Sequence, residues 1–114
     1  MPYIAINTAG ELSAGQKEKI KTGFGRLIEI IPTKTKAGLM IDFSGSRTMY
    51  FAGREVNGAF VELRLFRKSD FEAKKKFTEE AFEMLSRELG MSKDDIKLNI
   101  MELDCWGTGG TLKS

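Results

Sequence analysis

Apolar and polar positions alternate through Pro2-Tyr-Ile-Ala-Ile-Asn-Thr8, and this two-residue period predicts a short strand with Ile4 and Ile6 on its more apolar face. The period then changes. Ile20, Phe24, Leu27, Ile28 and Ile31 recur at three- and four-residue steps, the stripe of an amphipathic helix. The capping-box spelling Ser13-Ala-Gly-Gln16 opens that helix and Pro32 ends it. Residues 38–43 read as a second strand, followed by a polar stretch over 44–47 and a short run over 48–53. The plan then repeats. Residues 59–66 alternate, with Val61, Leu63 and Leu65 facing one way and Glu62 and Arg64 the other. A second capping-box spelling, Ser69-Asp-Phe-Glu72, leads into the stripe Phe77, Ala81, Met84, Leu85 and Leu89, which stops at Gly90. A turn over 92–95 enters a fourth strand over 96–101. The tail over 106–114 shows no periodicity and reads as flexible.

The predicted order is β-α-β, a connector, then β-α-β: an α/β (α+β) chain whose two units join into one four-stranded sheet with both helices on one face. At 114 residues, 41% of them hydrophobic, the chain is long enough for a single domain over 1–114. Its halves are about 1–57 and 58–103, with a C-terminal tail. The uncovered sheet face calls for self-association.

Charge and composition narrow the chemistry. Eighteen Lys and Arg against sixteen Asp and Glu give a formal charge of +2, too small to imply nucleic acid or a membrane as partner. Cys105 is the single cysteine, so no intrachain disulfide framework exists, and no apolar run is long enough for a signal or membrane segment. The expected compartment is the cytoplasm, with non-classical secretion left open. Histidine is absent. That removes Ser-His and Cys-His nucleophiles, histidine acid/base work and histidine-based zinc sites together. No metal or cofactor is called for.

Two lysine-rich stretches, around residues 17–21 and 74–76, are interleaved with glutamates on helices and read as solvated faces, with Glu83 and Arg87 spaced for an i, i+4 pair. Gly107-Thr-Gly-Gly110 has the composition of a phosphate loop without its strand-to-helix setting or its lysine.

Pro2 stands directly behind Met1. Proline is ordinary at the first residue of a strand. Removal of Met1, however, would turn it into a secondary amine. A terminal amine has an ordinary pKa of about 7.7 to 8.0, and burial near other cations lowers it toward neutrality, where a general base works best. With Met1 retained, the same nitrogen is an amide and no base.

Pro2 at the head of a strand that closes with Ile6-Asn-Thr8, a lysine after the first helix, the run Met49-Tyr-Phe-Ala-Gly53, Ser92, Asn99 and Trp106 stand in a characteristic order. In these residues and in its doubled β-α-β plan the chain resembles the tautomerase superfamily, most closely its macrophage migration inhibitory factor branch. The resemblance extends over most of the chain. It implies a keto-enol tautomerase acting on a 2-oxo acid such as phenylpyruvate, without a cofactor, in a homotrimer whose active sites are shared between subunits. By the same resemblance unmasked Pro2 is the general acid/base, and Lys34 lowers its pKa and binds the substrate carboxylate. Asn99 is contributed from a neighbouring subunit, Phe66 is an apolar wall, and Trp106 closes the pocket. Lys97 stands where the family has a tyrosine, exchanging a hydroxyl donor for a cation. The Cys-x-x-Cys of the mammalian cytokine is replaced by residues 58–61. Arg64 is a further candidate for the carboxylate.

Two other functions fit the same resemblance. One is a non-catalytic, cytokine-like protein ligand. The other is a hydratase or dehalogenase, which needs paired arginines and an acidic residue to activate water. Arg64 and Arg67 fall on opposite faces of a regular strand, and Glu102 has no position fixed by the sequence.

Overall fold

The computed structural model describes residues 1–114. Strand β1 (Pro2–Thr8) leads to helix α1 (Ala14–Leu27), and β2 (Met40–Ser44) returns parallel to β1, with Ile4 opposite Ile41 and Ile6 opposite Phe43. The second half gives β5 (Ala59–Phe66), α2 (Phe71–Leu89) and β6 (Ile96–Leu103), with β6 parallel to β5. Between the halves lies a two-stranded ribbon, β3 (Tyr50–Phe51) and β4 (Arg54–Glu55). Its turn, Ala52-Gly53, takes positive φ at both residues, the twist that a tight hairpin requires. The halves meet where β1 runs antiparallel to β5, so the sheet order is β2-β1-β5-β6.

Alternation decides which face each side chain joins. Ile4, Ile6, Val61, Leu63 and Leu65 are fully buried under the helices, joined there by Ile20, Phe24, Phe77 and Leu85. The rings of Phe24 and Phe77 stack with centroids 6.0 Å apart and join the two helices over the sheet. On the opposite face stand Tyr3, Met40, Asp42, Phe60, Glu62, Arg64, Lys97, Asn99 and Met101, with no helix above them.

The capping box at Ser13 forms as its spelling predicts: Ser13 Oγ accepts from the Gln16 N–H and the Gln16 side chain accepts from the Ser13 N–H. Helix α1 ends at Leu27 and a single 3-10 turn, Ile28–Ile30, carries the chain toward Pro32. Helix α2 is capped differently from the expectation. Asp70 is its N-cap, accepting from the Ala73 N–H, and the Ser69 N–H donates to the Glu102 carboxylate instead of to Glu72. Gly90 closes this helix in the left-handed conformation, as its residue type predicts.

Two other expectations are corrected. The tail is a hairpin, β7 (Trp106–Thr108) paired with β8 (Thr111–Lys113) through Gly109-Gly110, both at positive φ. Strands of three residues are too short for a periodic signal, and the glycines that looked like disorder are the turn. Glu83 pairs with Lys93 rather than with Arg87, since the turn after α2 brings Lys93 back along the helix.

Candidate active site

The start of β1 is the first component of the site. Pro2 is buried and stands opposite Leu65 in the antiparallel pair, so its neighbours across the ladder are the last residues of β5. Lys34, in the loop after α1, is only 8% exposed, and its Nζ donates to the Phe66 carbonyl at 3.0 Å. No carboxylate lies within ion-pair distance of that ammonium. Burial, together with the nearby Arg67 guanidinium, pushes the Lys34 pKa below the usual lysine range. The terminal amine, carried here by Met1, is also lowered: first by burial, then by the positive charges of Lys34 and Lys113. The amino terminus, Lys34 and Lys113 therefore lie in one positively charged neighbourhood, which Lys113 reaches because the tail folds back as a hairpin; Arg67, beside Lys34, donates to the carbonyl oxygen of the C-terminal Ser114.

An open recess of about 470 Å³ lies against this point, lined by Met1, Pro2, Tyr3, Arg64, Cys105 and Trp106 among others. Trp106 supplies an aromatic wall from β7. Arg64 belongs to the open sheet face and lies over the Tyr3 ring, 5.5 Å from its centroid. The Tyr3 hydroxyl donates to Asp42 at 2.8 Å, and this hydrogen bond is the first cause of a raised tyrosine pKa. Phe66 ends β5 under the Arg67 guanidinium, 4.9 Å from its ring centroid. Arg67 itself lies beyond the strand at φ 71°, so strand alternation does not extend to it.

Two sequence candidates lie elsewhere. Lys97 and Asn99 sit on β6, in register with Phe60 and Glu62, several residues along the sheet from the level of Pro2. The Lys97 ammonium covers the Phe51 ring at 4.1 Å and lines a second recess with Met49, Tyr50 and Phe60. Within one chain, then, Pro2, Lys34, Phe66, Arg64 and Trp106 gather at one end of the sheet, while Lys97 lies toward the other and Asn99 midway, at the level of Ala5. The sequence reading missed Tyr3, Cys105 and Lys113. Tyr3 had a signal, since it is the neighbour of Pro2 and faces away from the core; Lys113 had none without the hairpin.

Glu102 is also fixed. Its carboxylate accepts from the Lys74 ammonium at 2.9 Å and from the Ser69 N–H at 2.6 Å. Desolvation alone would raise its pKa, but these two hydrogen bonds, with the charges of Lys74 and Lys68, outweigh it and hold the group low. A larger groove, about 680 Å³, runs between α1 and the β2 edge beside Lys21, Arg26, Glu29 and Lys36; it has no aromatic wall and lies apart from Pro2. No group of three or more acidic or cysteine side chains is placed to hold a metal, and no helix is long and apolar enough to cross a membrane.

A mixed four-stranded sheet in which antiparallel β1 and β5 join two parallel β-α-β units, with helices on one face, is the fold of the macrophage migration inhibitory factor-like tautomerase superfamily. The structure superposes on MIF2 from Leishmania major with a TM-score of 0.92 over 99% of this chain and 97% of that one, at 18% identity. It superposes on Pt0534 inactivated by 2-oxo-3-pentynoate at a TM-score of 0.83 and 13% identity, covering 95% and 93% of the two chains. N1, a member of the cis-3-chloroacrylic acid dehalogenase family, gives a TM-score of 0.83 at 14% identity over 96% of this chain and 82% of that one. No family model matches the sequence, and no curated protein matches it.

Proposed function

We propose that this protein is a cofactor-independent keto-enol tautomerase of 2-oxo acids, with Pro2, freed of Met1, as the general acid/base. The observation that carries this reading is the buried Lys34 ammonium, held on a backbone carbonyl beside the chain's first residues with no carboxylate of its own. A cation so placed favours the neutral form of the terminal amine and leaves donors free for an anion. The neutral Pro2 nitrogen takes a proton from carbon 3 of the 2-oxo acid, the C–H electron pair moves into the new double bond, and the carbonyl oxygen takes a proton from water; the ketone re-forms by the reverse steps. Trp106 and Phe66 limit the access of water. That Pt0534, a protein of this fold, is inactivated by a 2-oxo acid supports the substrate class.

Self-association is part of the proposal. Met40, Phe60 and Met101 are exposed on the helix-free sheet face, and Lys97 and Asn99 lie on that face remote from Pro2. A homotrimer would cover those apolar side chains and bring the β6 residues of one copy to the Pro2 end of the next. The hydratase or dehalogenase reading is weaker because Glu102, its candidate for activating water, is engaged by Lys74 and Ser69.

The test is the intact mass of the purified protein, its mass in solution, and the rate of phenylpyruvate enol-keto conversion on the same sample. We expect a mass short of one methionine, a trimer, and a rate that falls about 10²- to 10⁴-fold in Pro2→Gly. A processed chain whose rate is unchanged by Pro2→Gly would overturn the assignment of the base. A processed wild type with no activity would favour the binding role.

A further inference from the structure

Residues 56–58 join the β3–β4 ribbon to β5 with no regular structure of their own, and they contain the pair Asn57-Gly58. The backbone nitrogen that follows an asparagine can attack its side-chain amide. Glycine hinders that attack least, because it has no side chain and the widest range of backbone angles. Asn57 is exposed, and neither its amide nor the Gly58 N–H makes a hydrogen bond within the chain. Gly58 itself is buried, so its unpaired donor is held at a cost. The other asparagines are placed differently. Asn7 and Asn99 lie inside β1 and β6 and are followed by the β-branched Thr8 and Ile100, whose side chains crowd the nitrogen that would have to react.

We propose that Asn57 is a site of spontaneous deamidation, at which this protein converts itself into an isoaspartyl form. The Gly58 nitrogen loses its proton to water and bonds to the Asn57 side-chain carbonyl carbon, and the amide nitrogen leaves as ammonia. Water then opens the cyclic imide. Opening at one carbonyl gives aspartate; opening at the other gives isoaspartate, whose main chain runs through the former side chain and is one carbon longer. Packing keeps the reactive pair in place, since a side chain at residue 58 would begin 2.9 Å from the Asp95 carbonyl oxygen. The longer main chain has consequences because both neighbours of Asn57 are pinned. The Val56 N–H donates to the Met49 carbonyl at 3.0 Å, and the Gly58 carbonyl accepts from the Ala9 N–H at 3.0 Å. An extra carbon between these anchors breaks one of them, releasing either the ribbon or the joint between the end of β1 and the start of β5. The inference is independent of the tautomerase reading, for it needs neither Pro2 nor a substrate.

The experiment stores the purified protein warm in neutral and in mildly alkaline buffer and follows each asparagine-containing peptide by mass, with a digest at time zero as the blank. The peptide holding Asn57 should gain one mass unit at least about tenfold faster than those holding Asn7 or Asn99, whose strands must open before they react. Alkaline buffer should speed the gain, and the formal charge should fall from +2 to +1. Protein isoaspartyl methyltransferase, used as the probe, should label the aged protein. Asn57→Gln, which would have to close a six-membered ring, should neither shift nor take the label. Asn57→Asp carries the charge without the extra carbon, so hydrogen exchange over residues 49–60 should quicken in the aged isoaspartyl form and not in this variant. No gain at Asn57, or equal gain at all three asparagines, would overturn the proposal. Exchange that matches between the isoaspartyl form and Asn57→Asp would overturn the structural consequence. Should either variant fail to fold, the wild-type comparison among the three asparagines decides.

Discussion

Lys34 and Lys74 are both drawn into the body of this protein, and they are held in opposite ways. Lys74 reaches from α2 to Glu102 at 2.9 Å, both side chains being about four-fifths covered, at 17% and 19% exposure. Its charge is matched, and the pair fastens α2 to the end of β6. Lys34 is at least as deep but has only the Phe66 carbonyl, with Arg67 rather than a carboxylate near it. A buried charge is ordinarily paired. The pair at Lys74 fits a structural role, while the unmatched charge at Lys34 is the arrangement expected where an anion is to be received beside a base whose pKa must stay low.

Removing the two cations should therefore separate function from stability. In Lys34→Met, kcat/KM toward 2-oxo acids should fall about 10- to 100-fold, the worth of one lost charge-assisted hydrogen bond. Its Tm should hold or rise, because an unmatched buried charge has been replaced by an apolar side chain of similar length. An equal loss of activity and Tm would erase the contrast. Lys74→Met should do the opposite. Glu102 is left partly buried without its cation, at about 1–3 kcal/mol, so Tm falls by several degrees. Its site is two strands from β1, roughly 10 Å away, and kcat/KM should stay within about twofold.

The smallest effects lie in the pH dependence of Tm. The Lys34 pKa is lowered in the folded chain, so between that value and the ordinary lysine value of about 10.4 the unfolded chain binds more protons, and stability rises with pH across that window. Lys34→Met should lack this rise. Glu102 has the opposite sign. Its folded pKa is depressed, so its contribution is present above the ordinary glutamate value of about 4.3 and is lost as pH falls through the folded one. Glu102→Gln should flatten that acid limb and leave the alkaline one unchanged; both limbs can be followed by thermal unfolding across pH.

The positions of these groups were unequally legible. Ile4 and Ile6 on β1, and Val61, Leu63 and Leu65 on β5, declare by alternation which face they join, and the two helical stripes declare the layer above them. The lysine after α1 was found because it follows a helix stop at a distance that the resemblance marks. Lys113 was not found, because its nearness to the amino terminus depends on a three-residue hairpin with a glycine turn, too short to impose a period on the sequence. Glu102 illustrates a different limit. Its place on the helix-covered face follows from β6 running on to Leu103 in register with β5, and the pairing with Lys74 needs the axial position of α2 along the sheet; the sequence carries neither.

The sequence by itself determined the doubled β-α-β plan, the buried faces of β1 and β5, the caps at Ser13 and Gly90, and the exclusion of histidine chemistry. These are properties of periods and residue types within a few positions, and local sterics and burial enforce them. Only the tertiary structure decided that Lys34 goes without a carboxylate while Lys74 has one, that Arg64 lies over Tyr3 beside Pro2, and that Lys97 and Asn99 sit several residues along the sheet from Pro2. Each of those depends on strand register and on how far one layer slides over another. Hydrophobic burial is nearly indifferent to that, and hydrogen-bond geometry resolves it only once the layers have met.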